Sequence, residues 1–259
     1  MTWQLTITGF AIGLLVGVTG MGGGSLMTPL LILVFDFSAI VAVGTDILNG
    51  AIYKTIGAAR HRVFGHVHAR LVFWMALGSV PASLAGVYVV ELLKRAYGDG
   101  VNDIATEMLG YALLVAGIGF LIKTYVHRKE IPEDRPFVLR NRDRVIAFTI
   151  GLFGGFVLGL TSVGSGTFFG LALLLLFPLT APKVVGTDIF HAAILLWAAG
   201  LAHLSAGNVD LNALAWLSLG SIPGVLIGSQ LTVKLPERTI RTALATVLLL
   251  AGLKLVGVF

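Results

Sequence analysis

The stretch Gly17-Val-Thr-Gly-Met-Gly-Gly-Gly-Ser25 recurs as Gly159-Leu-Thr-Ser-Val-Gly-Ser-Gly-Thr167, so position 17 maps to position 159 with an offset of 142. The same offset carries Gly44-Thr-Asp-Ile47 onto Gly186-Thr-Asp-Ile189, and Gly78-Ser-Val-Pro81 onto Gly220-Ser-Ile-Pro223. One constant offset from Gly17 to Gly86 is hard to produce by chance. The unit is far too long for a solenoid repeat. The sequence therefore predicts two related halves.

The composition places both halves in a membrane. Hydrophobic residues make up 56% of the chain and charged residues 12%, and the mean hydropathy is +0.93; a soluble domain carries about 25% charged residues. The 259 residues leave room for roughly six to eight spans and no sizeable soluble domain. The N-terminus lacks a basic n-region and a convincing cleavage site, so we expect no removable signal peptide.

The basic residues fit membrane orientation better than nucleic-acid binding. The net charge of +5 lies mainly in loops between apolar segments, where Lys and Arg orient membrane proteins. The basic stretch 127–144 reads as a cytoplasmic linker between a first transmembrane repeat, 1–126, and a second, 145–259. The chain has no cysteine, which excludes disulfides and cysteine metal sites. We expect no nucleic-acid partner and no cofactor.

The Gly-rich stretches interrupt the first apolar segment of each half. Each flank is expected to be about 12 residues, or roughly 18 Å of helix, which is too short to cross a hydrocarbon core of about 30 Å. Two arrangements would solve this: the flanks join as one broken span, or they fold back as a re-entrant hairpin.

Loop charge decides between the two arrangements. The loop 60–70 carries Arg60, Arg62 and Arg70 and no acid, whereas its repeat partner 202–212 carries only Asp210. Equivalent loops are therefore expected on opposite sides of the membrane. The chain must cross an odd number of times between the basic, cytoplasmic linker and the outside loop 202–212, and the segment 182–202 supplies one crossing, so we read both interrupted segments as re-entrant hairpins. The expected fold is an all-α polytopic membrane protein of two inverted-topology repeats, each a re-entrant or broken helical hairpin plus three transmembrane helices.

The two breaks are the first candidate site. The second flanks are expected to start near Gly24-Ser25 and Gly166-Thr167. A helix that begins at a break presents free N–H groups and the positive end of its dipole, and both attract anions. An alternative is that the glycines only allow close helix packing. The candidate substrate-binding residues at the breaks are Thr19, Gly22, Gly23, Gly24, Ser25, Thr161, Ser162, Gly164, Ser165, Gly166 and Thr167.

Several further polar residues lie inside apolar segments. Asp46 and Asp188 are repeat-paired carboxylates, either functional or helix caps. We treat them as candidate coupling residues that exchange protons. Lys54 would neutralise an anion or pair with an Asp, unless it snorkels toward Arg60. Asn49 and His191 follow the two carboxylates by three residues on the same helix face, as further lining groups.

The remaining histidines give no convincing metal site. His61, His66 and His68 cluster in the sequence but lack the usual carboxylate or cysteine partners. Gly164-Ser165-Gly166 suggests an intramembrane serine hydrolase, for which His191 is the only plausible base. Gly is missing two residues before Ser165, and we do not expect an enzyme.

These motifs, in this order and duplicated, resemble the sulfite exporter TauE/SafE family, also called the sulfonate uptake permease superfamily. The resemblance covers the chain apart from the central linker. It implies transport of sulfite, organosulfonates or related sulfur-containing anions across the bacterial plasma (inner) membrane.

Residues and resemblance together predict a multi-pass secondary transporter for a small sulfur-containing anion. It would work by alternating access, with proton coupling as the default because no nucleotide-binding motif is present. A passive anion channel is the alternative. The expected partners are a small inorganic or organic anion and the lipid bilayer, and a homodimer is left open.

Overall fold

The computed structural model describes residues 2–19, 24–125, 137–230 and 237–258. These residues form ten α-helices and one short 3₁₀ turn, with no strand among them. The helices are α1 Thr2–Thr19, α2 Gly24–Leu33, α3 Ala39–Val63, α4 Ala69–Tyr97, α5 Val101–Tyr125, α6 Asn141–Thr161, α7 Phe168–Leu176, α8 Ala181–Ser205, α9 Leu211–Gly228 and α10 Glu237–Leu255. The prediction of an all-α protein is confirmed.

Each Gly-rich stretch separates a long helix from a short one. The α1 and α6 helices have 18 and 21 residues, whereas α2 and α7 have 10 and 9. The expectation of four equal flanks of about 12 residues is therefore wrong. The α6 helix starts in polar sequence at Asn141, where Asp143 accepts a hydrogen bond from the Arg140 amide at 2.9 Å. Hydropathy alone missed these first turns, since they are helical but not apolar.

Each two-helix segment, α1–α2 and α6–α7, ends near the level at which it begins. Before α6, the Phe137 ring lies 6.1 Å from Phe177, which follows α7, and 5.3 Å from His68, which precedes α4. In the first half, Trp3 and Gln4 of α1 line the same pocket as Phe35 and Asp36, which follow α2. Each segment thus returns to the level at which it started.

Glycines set how these segments pack. Along α6, Gly151 lies against the Met75 backbone of α4 and Gly159 against the Ser83 backbone, so α6 runs parallel to α4. Since α4 continues to Tyr97, α6 stops about halfway along it. In the same way α1 runs parallel to α9, with Gly9 at Leu217 and Gly17 at Val225.

Two further helix pairs join the halves, α3 with α8 and α5 with α10, and both pairs are antiparallel. Gly57 of α3 approaches Ile189 of α8, and Gly200 of α8 approaches Leu48 of α3, so these helices are antiparallel. The α5 and α10 helices are antiparallel as well, with Gly110 near Leu255. In the α3–α8 pair, α2 and α9 pack on α3, and α7 and α4 pack on α8.

Five helices are long and apolar enough to cross a membrane, by length and composition among the described residues: α4, α5 over 101–122, α6, α8 and α9. The α3 helix, at 25 residues, is as long as α8. Its mean hydropathy is lower because Asp46, Asn49 and Lys54 lie within it. Polar residues in the middle of a buried helix point to a site inside the protein.

Candidate functional site

The Gly44-Thr45-Asp46 triplet gives each of its residues a separate role. A Cβ at Gly44 would meet the carbonyl oxygen of Asn208, so glycine lets the loop before α9 reach α3. The Thr45 hydroxyl accepts a hydrogen bond from the Asp210 amide at 3.0 Å. Asp46 lies in the second turn of α3 and is 1% exposed.

The second triplet repeats this arrangement at the opposite end. Gly186 lies against the His66 carbonyl, and the Thr187 hydroxyl accepts from the His68 amide at 3.0 Å. Asp188 is buried two turns inside α8. The two threonines therefore bond to the residues that precede α9 and α4. The two carboxylates are buried and cap neither α3 nor α8, whose N-caps are Ser38 and Thr180.

The second break is formed by residues with unusual backbone angles. Ser162 closes α6 with φ 62°, and Gly164 and Gly166 have φ 132° and 92°. A positive φ is easy for glycine and strained for most other residues, so the glycines make the turn possible. The second helices of the two segments start at Gly24 and Phe168, as predicted from the sequence.

The first break is only partly described. Gly22 and Gly23 lie outside the described residues, and for Thr19 and Gly24 only the helix backbone is described. Ser25, at the start of α2, is 2% exposed.

Two repeat-related hydroxyls are buried without a hydrogen-bond partner among the described residues. They belong to Ser25 and Thr167, which occupy equivalent positions at the N-termini of α2 and α7. Thr167 is the N-cap residue of α7, yet its side chain makes no capping bond. Leaving such a group unpaired costs about 1–3 kcal/mol, so this pair requires an explanation.

The other candidates at the second break behave differently. The Thr161 hydroxyl donates to the Val157 carbonyl at 2.8 Å and is thus held within its own helix. Ser165 is buried, at 1% exposed. The Ser162 hydroxyl points toward the first half of the protein, where it meets Asp46 of α3.

Asn49 and His191 form a second repeat-related pair. The Asn49 carbonyl oxygen accepts from Ser221 at 2.9 Å and from Ser218 at 3.2 Å, both on α9. His191 Nε2 lies 2.8 Å from the hydroxyl of Ser79 on α4. Ser79 and Ser221 are themselves equivalent in the repeat, so α3 bonds to α9 as α8 bonds to α4.

Each member of this pair keeps one polar atom unpaired. Asn49 Nδ2 and His191 Nδ1 are buried and have no hydrogen-bond partner among the described residues. When Ser79 donates to Nε2, the ring proton of His191 lies on Nδ1, which makes that atom a donor.

Lys54 lies inside the protein and does not snorkel to its surface. It is 3% exposed, and it interacts electrostatically with Asp188 of α8 and Asp46 of its own helix. It also interacts electrostatically with His191. A buried ammonium is costly unless it is compensated, and Asp188 makes the larger of the two contributions. The alternative that Lys54 reaches toward Arg60 is wrong.

Asp46 contacts residues from both Gly-rich segments, α1–α2 and α6–α7. Its Oδ2 atom lies 2.5 Å from the hydroxyl of Thr28 on α2 and 2.9 Å from the hydroxyl of Ser162 at the second break. The two hydroxyl oxygens are 2.6 Å apart. The three oxygens thus form a closed triangle that joins α2, α3 and α6.

Sequence reasoning missed four residues around these groups: Thr28, Tyr53, Ser79 and Ser221. The two serines belong to the repeated Gly-Ser-x-Pro motif, so a signal for them was present in the sequence. Tyr53 is 1% exposed and interacts electrostatically with Asp46. Thr28 gave no signal, because its repeat equivalent is Gly170.

The fold and these motifs agree with comparisons to known proteins. The family described as "Sulfite exporter TauE/SafE" matches residues 5–255. This chain belongs to the TauE/SafE family. It is a multi-pass membrane transporter of that family, as the names of its relatives also indicate.

Three relatives come from Bacillus subtilis (strain 168). The chain is 38% identical to the "Probable membrane transporter protein YjnA", over 99% of this chain and 100% of the relative. It is 23% identical to YdhB, covering 95% and 96%, and 26% identical to YunE, covering 98% and 98%, both also named probable membrane transporter proteins. No solved structure matches the chain.

Proposed function

We propose that this TauE/SafE protein is a secondary transporter that moves a small sulfur-containing anion, sulfite or an organosulfonate, across the plasma membrane by alternating access. One observation carries the proposal: two repeat-related pairs of buried polar atoms have no hydrogen-bond partner among the described residues. They lie on α3 and α8 and at the starts of α2 and α7, which pack on the α3–α8 pair that holds Lys54. A binding screen of the purified protein against sulfite, sulfate, thiosulfate, taurine and sulfoacetate tests it. Failure of all five anions to bind would overturn it.

The proposal includes two inverted repeats, 1–126 and 145–259, with 127–144 as a cytoplasmic linker. The antiparallel α3–α8 and α5–α10 pairs support inversion, because each pair joins repeat-equivalent helices. Helices of equal position that run in opposite directions imply halves of opposite topology. The common entry and exit levels of the α1–α2 and α6–α7 segments support re-entrant hairpins that enter from opposite sides.

Single cysteines test this topology cleanly, because the chain has no native cysteine. Val63 is 84% exposed at the end of α3, and Ser205 is exposed at the end of α8. In intact cells we expect a membrane-impermeant maleimide to label Ser205→Cys and not Val63→Cys, and lysis should make both reactive. Labelling of both from outside would exclude the inverted arrangement.

The proposed anion site lies where the two breaks face the α3–α8 pair. Ser25 and Thr167 offer hydroxyls, Asn49 and His191 offer N–H groups, and Lys54 offers charge. The N-termini of α2 and α7 add the positive ends of their dipoles. An oxyanion has several acceptor oxygens, so it could pair with all of these donors, which an uncharged apolar ligand could not. This donor set supports an anion and leaves the particular sulfur compound to the screen.

Removing the unpaired hydroxyls should separate binding from stability. In Ser25→Ala and Thr167→Val we expect anion affinity, measured by calorimetry, to fall roughly tenfold or more, since a hydrogen bond to a charged group is worth about 1.5–3 kcal/mol. The melting temperature without anion should stay equal or rise, because an unsatisfied buried group has been removed. A melting temperature that falls while affinity stays unchanged would assign the hydroxyls to packing.

A matched control is available on α5. The Thr124 hydroxyl donates to the Phe120 carbonyl of its own helix at 2.8 Å. Thr124→Val should leave anion affinity unchanged. Substitution of Gly166 would be a poorer test of the anion site, because its φ of 92° strains any larger residue.

A further inference from the structure

The triangle of Thr28, Asp46 and Ser162 contains more contacts than its hydroxyl protons can serve. Three oxygen–oxygen distances of 2.5, 2.6 and 2.9 Å close the triangle. All fall within hydrogen-bond range for oxygen donors. Each of the three contacts needs its own proton. The two hydroxyls supply two, and an ionised carboxylate supplies none.

We propose that Asp46 carries the coupling proton of this transporter, as a carboxylic acid held in a ring with Thr28 and Ser162. In that ring each group donates one hydrogen bond and accepts one. The inference rests on the proposed function, and it specifies the coupling ion and its site. It also divides the roles of the two repeat-paired carboxylates, which look alike in the sequence.

The spacing favours a proton over a metal cation. Oxygens that share a calcium-sized ion lie roughly 2.3–2.6 Å from it, so neighbouring oxygens of its pentagonal ring are about 2.7–3.1 Å apart. Two of the three distances here, 2.5 and 2.6 Å, are shorter than that. In addition, Ser162 closes the C-terminus of α6, the negative end of its dipole. That end disfavours an ionised carboxylate, and a neutral carboxylic acid removes the conflict.

The ring cannot form around Asp188. The repeat equivalents of Thr28 and Ser162 are Gly170 and Gly20, and neither has a hydroxyl. Asp188 instead interacts electrostatically with Lys54 across the α3–α8 pair. We therefore assign Asp188 to charge compensation of Lys54.

Few other titratable groups face Asp46. Lys54 and Tyr53 of its own helix interact with it electrostatically. From α8, Asp188 and His191 interact with Lys54. The described residues of α2 and α9 include no titratable side chain, and the charged residues of α5 lie in its first and last two turns.

The position of the ring couples proton release to hairpin movement. Thr28 belongs to the first hairpin and Ser162 to the second. When alternating access separates the hairpins, Asp46 loses both partners and can pass its proton to water on the side then open. Closing the ring requires a proton to be taken up again. One proton per cycle moves between Asp46 and water, and no other reactant is involved.

Infrared spectroscopy tests the proton directly and needs no substrate. In wild-type protein in lipid bilayers at neutral pH, we expect a protonated carboxylic C=O stretch that shifts in deuterated water. Asp46→Asn should lose this band, and Asp188→Asn should keep it. Thr28→Val and Ser162→Ala should shift it, because each removes one ring partner, while Thr124→Val should leave it in place.

Two results would overturn the inference: no such band in the wild type, or a band that persists in Asp46→Asn. Thermal stabilisation by sodium chloride over choline chloride that disappears in Asp46→Asn would likewise replace the proton with a cation. If Asp46→Asn does not fold, Thr28→Val and Ser162→Ala replace it in the test. A C=O band that shifts in both variants supports the inference, and a band that shifts in neither overturns it.

Transport adds a separate readout in proteoliposomes with sulfoacetate, whose sulfonate remains ionised near neutral pH. Asp46→Asn should retain sulfoacetate exchange but lose sulfoacetate accumulation driven by a pH gradient. Asp188→Asn should retain accumulation driven by a pH gradient, even if its affinity for sulfoacetate changes. Undiminished accumulation in Asp46→Asn would overturn the inference. A wild type that shows the band but binds none of the screened anions would overturn the proposed function and leave the proton site intact.

Discussion

Lys54→Gln should weaken anion binding roughly 10- to 150-fold. This range corresponds to about 1.5–3 kcal/mol, the worth of a hydrogen bond to a charged group. Lys54 is 3% exposed and therefore little screened by water. With the ammonium gone, Asp188 would also repel the incoming anion. Calorimetry with the best ligand of the five-anion screen measures the change.

The same variant should lose stability for a reason that can be separated from binding. With the ammonium gone, the buried Asp188 carboxylate loses the positive charge with which it interacts, so the melting temperature should fall. Adding Asp188→Asn to Lys54→Gln should restore much of the melting temperature but not the anion affinity. Recovery of both would show that Lys54 acts through structure alone. Lys183→Gln, at a partly exposed cation on α8, is the control and should change neither quantity.

Gly220→Ala should lower the melting temperature by roughly 2–12 °C, which corresponds to about 1–3 kcal/mol of overpacking. A Cβ at Gly220 would meet the Thr6 carbonyl oxygen of α1, a backbone atom that moves only if the whole helix moves. The equivalent Gly78→Ala should behave alike, because its Cβ would meet the Phe148 carbonyl of α6.

Gly100→Ala adds the same methyl group where no atom lies within 4 Å, so its melting temperature should stay near that of the wild type. Equal melting temperatures for Gly220→Ala and Gly100→Ala would contradict the parallel packing of α1 on α9. Differential scanning fluorimetry in detergent suffices for the comparison. In Gly220→Ala the melting temperature should fall while the anion affinity stays near that of the wild type, since the glycine faces α1 and not the site.

The breaks illustrate what the sequence could predict. Gly24-Ser25 and Gly166-Thr167 were expected to start the second helix of each segment, and α2 and α7 do start there. The reason is local: clustered glycines favour positive φ, and the apolar run resumes directly afterwards. The lengths of α1 and α6 were missed, because their first turns are polar. A hydropathy pattern shows which residues avoid water, and it does not show where a helical backbone begins.

The buried pair Asn49 and His191 shows how far the repeat alone could predict the lining of the site. Asn49 and His191 follow the two carboxylates at equal spacing, which predicts them as lining groups, and both prove to be buried. Their partners Ser79 and Ser221 lie in a motif that repeats as well. The repeat therefore held a signal for the serines, but their hydrogen bonds to Asn49 and His191 were seen only in the structure.

The sequence by itself determined that this is a duplicated, all-helical membrane protein of the TauE/SafE family, with a broken segment in each half and polar residues at repeat-related places. Offsets, composition and glycine chemistry are local properties, and they can be read from one chain. Only the tertiary structure decided that Asp46 and Asp188 have different surroundings. Thr28 lies on α2 and Ser162 at the end of α6, and no repeat or period links either to Asp46. Their meeting depends on how these two segments pack around α3, which is a long-range property of the fold.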